Sequence, residues 1–172
     1  MKEVLAGGAI AIFASFVTTV LTNFFENKRL KVELAQKEKD LLIVKAEELY
    51  LQVSVWEKSI DIVNMNHLRG MKGELSVKQV LELCIKTDEE LKPQPDRMNM
   101  LIAIYIPQLT ASYNYVDAKR HEIVKYWFLY RKNPENFNSL EQFNIAWDDF
   151  SNAMNEFKKQ IATIPNVLFR GK

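Results

Sequence analysis

The residues best suited to chemistry lie in the stretch VDAKRHEIVKYWFLYRK at positions 116–132, where cations alternate with aromatic rings. On a helix, Tyr113, Arg120, Val124, Trp127 and Arg131 share one face, and Tyr115, Lys119, Ile123, Tyr126 and Tyr130 share an adjoining one. A guanidinium can grip a phosphate or carboxylate through two parallel hydrogen bonds while rings stack on a planar base. Tyr113, Arg120, Trp127 and Arg131 are therefore the candidate binding residues for a small anionic ligand such as a nucleotide, and a protein partner is the alternative occupant. The same pattern has a structural explanation. Aromatic residues at helical spacing usually build core, and neighbouring Lys or Arg stems usually lie across that core with their charges in water.

Covalent and metal chemistry find no comparable support. The two histidines, His67 and His121, and the single cysteine, Cys84, form no zinc-ligand spacing, and no phosphate-binding glycine loop or nucleophile elbow is present. Asp148 and Asp149 are adjacent, so on a helix they point about 100° apart and do not converge on a metal. The chain reads as a non-enzyme without metal or cofactor. With 23 basic and 22 acidic residues its formal net charge is +1, which argues against a long nucleic acid as partner. A lone cysteine suits a reducing compartment, and Cys84 lies on the apolar side of its helix as a small core residue.

The element that must position everything else is at the start of the chain. Residues 4–25 read VLAGGAIAIFASFVTTVLTNFF, twenty-two positions without a charge. At about 1.5 Å per residue this makes a helix of roughly 33 Å, enough to cross a bilayer. Its n-region is short and its apolar run long for a cleaved signal peptide, so an uncleaved anchor is expected. Gly7, Ala11, Ala14, Ser15, Thr18 and Thr22 occupy one side of that helix, while larger apolar residues take the rest. Small and hydroxylated faces allow close helix approach in lipid, so this face is the candidate association surface. Lys28, Arg29 and Lys31 follow the span, whereas Lys2 before it is offset by Glu3. The positive-inside rule then places the N-terminus outside and the C-terminal domain in the cytoplasm, with the chain single-pass in an inner membrane.

Three segments follow from this reading: an anchor at 1–26, a charged helical stalk at 27–40 and an all-α cytoplasmic domain at 41–172. In the stalk, ion pairs such as Glu33 with Lys37 are expected to support a solvated helix. Beyond it, Leu42, Ala46, Leu49, Val53, Trp56, Ile60 and Val63 make a heptad seam, and Leu41, Val44, Leu51, Val55, Ile62 and Met65 occupy another side. A helix apolar on two sides is either central to a bundle or shared with a neighbouring subunit. Gly70 and Gly73 end it. Ser76 with Gln79 forms a capping box for the next helix, which stops at Pro93. Asp96 is expected to cap a helix running from Arg97 to about Lys132 with a kink at Pro107. Residues 98–116 carry no charge, but Pro107 and five polar side chains favour a buried helix over a second span. A second box, Ser139 with Gln142, opens a helix whose seam is Phe143, Trp147, Phe150, Met154, Phe157, Ile161 and Ile164, and Pro165 is expected to end it. Glu141, Asp148, Asp149 and Glu156 make this helix acidic, complementary to the basic helix before it.

The layout of a single N-terminal span, with Gly7, Ala11, Ser15 and Thr18 on one face, ahead of a helical domain of about four helices resembles the small membrane effectors of bacterial antiphage systems. Examples are the retron-associated transmembrane proteins and the cyclic-oligoadenylate-gated membrane effector of type III CRISPR systems. The resemblance covers architecture and carries no binding residues. It implies a homo-oligomer that senses a cytoplasmic signal and disturbs the bilayer. The alternative is a non-catalytic scaffold or adaptor tethered at the membrane.

Overall fold

The computed structural model describes the backbone of residues 2–134 and 138–170 and the side chains of residues 18–134 and 138–165. Among the described residues the chain is all-α: α1 (Lys2–Met71), α2 (Val77–Leu91), α3 (Pro95–Tyr105), a 3-10 turn (Pro107–Leu109), α4 (Thr110–Lys132) and α5 (Asn138–Arg170). Two compact units divide it, Met1–Leu41 and Leu42–Lys172.

α1 is a single helix of 70 residues. Positions 9–69 contain neither glycine nor proline, so nothing in the backbone chemistry interrupts it. It stops where Gly73 takes φ 77°. There the Gly73 N–H donates to the Gly70 carbonyl and the Glu74 N–H to the Arg69 carbonyl, the paired bonds of a Schellman cap. In the first unit every described residue is exposed except the half-buried Lys39. The expected Glu33–Lys37 pair is replaced by Arg29–Glu33 at 3.0 Å, since Glu33 is one turn from both cations. Among the described residues no helix is long and apolar enough to cross a membrane. Residues 4–17, and with them Gly7, Ala11, Ala14 and Ser15 of the candidate association face, lie outside the described side chains; Thr18 and Thr22 are exposed.

In the second unit the heptad seam of α1 is the centre of the core. Ala46, Leu49, Val53, Trp56 and Ile60 are buried, and the whole α5 seam is buried apart from half-buried Trp147. Trp56 lies 5.8 Å from Tyr113 of α4 and 6.5 Å from Phe150 of α5, centroid to centroid. Met98, Leu101 and Ile102 of α3 and Val80 of α2 add to the same cluster. Polar ties join the helices around it: the Trp147 indole N–H donates to Asp61 Oδ1 at 3.0 Å, Lys158 pairs with Glu57 at 2.7 Å, and Arg97 Nε donates to Glu48 at 2.7 Å.

Several boundaries differ from the sequence reading. Ser76 and Gln79 do form a capping box on α2. The helix expected from Arg97 to Lys132 is instead two helices, because Ile106 leaves the helical region at φ −138° and Pro107 restarts the chain as a 3-10 turn. Asp96 does not cap: Gln94 holds that position, Pro95 is the first helical residue and Asp96 lies in the first turn. Ser139 is likewise inside α5 rather than before it, since α5 begins at Asn138. Pro165 does not end α5, which continues to Arg170; one proline deletes a single backbone donor and the helix tolerates it. The uncharged segment 98–116 supplies buried Met98, Leu101, Ile102, Ile106, Leu109, Tyr113 and Val116 to the core from two broken helices.

At Gly70, side chains of α2 and α4 lie against the α1 backbone. A Cβ there would lie 2.8 Å from Val80 Cγ2 and 3.2 Å from Trp127 Cη2. Gly70→Ala is expected to cost about 1–3 kcal/mol through this overpacking. Adding Val80→Ala removes one clashing atom, so the double variant should lose less than the sum of the singles. Urea unfolding of the detergent-solubilised chain, followed by circular dichroism, checks this; additive losses would mean that Gly70 is not a packing constraint.

Candidate functional site

The four residues singled out for a ligand divide between core and surface. Tyr113 is buried between Trp56 and Phe157, and burial raises its phenol pKa with help from nearby Asp117. Trp127 is 2% exposed. Arg120 is half-buried, with Nε donating to Asp117 Oδ1 at 2.9 Å and an Nη 3.3 Å from His121 Nε2. Arg131 is exposed, its guanidinium 6.0 Å from the Phe128 ring. Of the face that the helical wheel gives them, the Tyr113 and Trp127 part is the one α4 turns inward. Rings that close a core are not free to stack on a base.

What Trp127 does instead is stack on His67 of α1, with centroids 4.5 Å apart and planes inclined by 12°. Tyr130 stacks on Trp127 as well, at 5.9 Å, and donates its hydroxyl to the Gly70 carbonyl at 3.2 Å. The Phe143 ring lies edge-on to His67 at 6.4 Å. Cys84 Sγ of α2 approaches His67 Nε2 at 3.8 Å. Among the described residues His67 Nδ1 and Asn64 Nδ2 are buried without a hydrogen-bond partner. Desolvation pushes the His67 pKa down to about 4, and burial pushes the half-buried Cys84 thiol up. A neutral imidazole beside a protonated thiol is not an activated nucleophile. This cluster is a polar-aromatic joint between helices. No local motif could have revealed it, because its contacts join distant positions: Cys84 is 17 residues from His67, and Tyr130 is 60 from Gly70.

Two surfaces remain. A groove of about 500 Å³ between α4 and α5 is lined by Ser112, Tyr115, Asp149, Asn152, Glu156 and Gln160 among others. Its charges are acidic. Lys119, the nearby cation, is held by Asp149 at 2.9 Å and Glu122 at 3.2 Å, and these bonds raise its pKa. The groove therefore suits a hydrogen-bonding or cationic group, not a phosphate. The second surface is at the end of α4, where Lys125, Phe128, Leu129 and Lys132 are exposed at spacing i, i+3, i+4, i+7, beside Arg131. None of these three cations has an ion pair among the described residues. An exposed apolar stripe edged by cations suits an acidic amphipathic segment of a protein. The spacing was present in the sequence, but Phe128 and Leu129 lie off the face that carries Arg120, Trp127 and Arg131. No group of three or more metal-binding side chains occurs among the described residues. Comparison with family models, curated proteins and solved structures finds no match for this chain.

The buried imidazole gives a pH dependence of known sign. In the unfolded chain His67 takes up its proton near 6.5, in the folded chain only near 4. The unfolded state binds more protons between these values, so stability falls as pH drops from about 7 towards 4. The expected loss attributable to His67 is roughly 2–3 kcal/mol. His67→Phe keeps the stacking and should remove that share of the pH dependence, measured by urea unfolding at pH 7 and 4.5. Equal slopes for the two proteins would mean the imidazole is protonated in the fold.

Proposed function

We propose that this chain is a non-catalytic, single-pass protein of the inner membrane, N-terminus outside, whose cytoplasmic helical domain acts as an oligomeric effector that disturbs the bilayer when signalled. Its setting is antiphage defence. The observation that carries the reading is the charge-free stretch at residues 4–25, which belongs to the same helix that supplies the buried seam of the domain. A change at the seam is thereby covalently and helically continuous with the span.

The trigger favoured by these surfaces is a protein rather than a nucleotide. Two of the four residues offered for nucleotide binding, Tyr113 and Trp127, are committed to the core. The exposed stripe Lys125, Phe128, Leu129 and Lys132 offers apolar contact and positive charge to an acidic partner. An adaptor held at the membrane would use the same stripe without disturbing the bilayer.

Induced expression in a bacterium, with and without phage challenge, separates these two. Entry of a membrane-impermeant dye is expected with the wild-type chain and is expected to be lost with Gly7→Leu plus Ala11→Leu, which blocks close approach of spans. Dye exclusion by the wild-type chain under both conditions would replace the effector with the adaptor.

A further inference from the structure

α1 carries a second apolar seam that the fold leaves uncovered. Val44, Leu51, Val55, Ile62 and Met65 recur at heptad spacing; Val44, Leu51 and Met65 are 54%, 66% and 55% exposed, and Val55 and Ile62 are half-buried. In heptad terms Val55 and Ile62 are β-branched residues at a, with Leu51 at d, the choice that favours two parallel strands. The same numbering includes Leu30 and Leu34 in the first unit, which are 52% and 59% exposed.

We infer that this seam is the interface between parallel copies of the chain. The first unit supplies the reason for a second copy rather than an unrelated partner. Residues 26–38 are helical yet exposed throughout, with no other element of the chain packed on them within that unit. A solvated helix without a packed face is marginal in water. A parallel copy buries Leu30 and Leu34 against themselves; across the g and e positions Glu26 then faces Lys31 of the other copy and Glu33 faces Glu38, one attractive and one repulsive pair. Chains inserted in one membrane in one orientation are already parallel and at the same height. Three seam positions are charged: Glu48 is neutralised within its own chain by Lys45 and Arg97, and Lys37 and Lys58 are exposed and can extend to water. Polar residues at single seam positions set register at a cost in stability. The inference deepens the oligomeric part of the proposed function and rests on the anchor only for the parallel sense.

The test uses the full chain in detergent, in a Cys84→Ala background. Leu51→Cys is expected to form a disulfide-linked dimer under mild oxidation, whereas Asn144→Cys, exposed on α5, should stay monomeric. Leu51→Arg is expected to reduce the oligomer seen by light scattering at least tenfold in concentration dependence, with unchanged circular dichroism. A monomeric wild-type chain, or cross-linking of Asn144→Cys as readily as Leu51→Cys, overturns the inference. Cross-linking between a Val44→Cys chain and an Ile62→Cys chain overturns the parallel sense. Alkaline extraction of membranes, run alongside, reports on the anchor independently, so a monomer that stays in the membrane pellet defeats this interface and leaves the anchor standing.

Discussion

Burial of one side of α1 is the interaction on which the rest of the domain depends. Leu49, Val53 and Trp56 are buried in one cluster with residues of α4 and α5, and Trp56 touches rings from both of them. α2 and α3 add Val80, Met98 and Leu101 to the same cluster. The polar ties, Trp147 to Asp61, Lys158 to Glu57 and Arg97 to Glu48, then fix which residue of α1 each helix meets. Each such pair is partly screened and adds modestly to stability, so their value is in register.

The joint around His67 shows the cost of that arrangement. α1 must turn a histidine and two asparagines, Asn64 and Asn66, into the interior. The imidazole is kept there as a neutral ring, stacked on Trp127 and touching the Cys84 sulfur. Gly70 exists beside it because a methyl group would strike Val80. A polar, tightly fitted end of the bundle is more easily disturbed than an apolar one, since an unpaired buried polar atom costs about 1–3 kcal/mol. That end of the domain is also where α4 exposes Phe128 and Leu129.

Much of this could be read in the sequence, and the reasons are local. The α1 and α5 seams were legible because a 3.5-residue period persists through several turns without a breaker, and the Ser76 cap because its box is complete within four residues. The break at Ile106 was read as a kink, since a proline announces disturbance without saying whether the helix resumes on the same axis. Pro165 erred in the other direction for the same reason. The burial of Tyr113 and Trp127 was illegible for a different reason. A helical wheel places Tyr113, Arg120, Trp127 and Arg131 together, but it cannot say which way α4 is turned, and that was decided by Trp56, Phe157 and His67 on other helices. The His67–Cys84 approach joins residues 17 apart through a tertiary turn and leaves no trace in spacing.

The proposed function requires α1 to pass from a membrane into the core of the second unit as one element. Cysteine labelling in intact cells with a membrane-impermeant maleimide, in a Cys84→Ala background, addresses it most directly. The account predicts that Lys2→Cys is labelled from outside, that Val17→Cys is not labelled before or after lysis, and that Lys31→Cys is labelled only after lysis. Labelling of Val17→Cys in a soluble fraction, or of Lys31→Cys in unbroken cells, would contradict it.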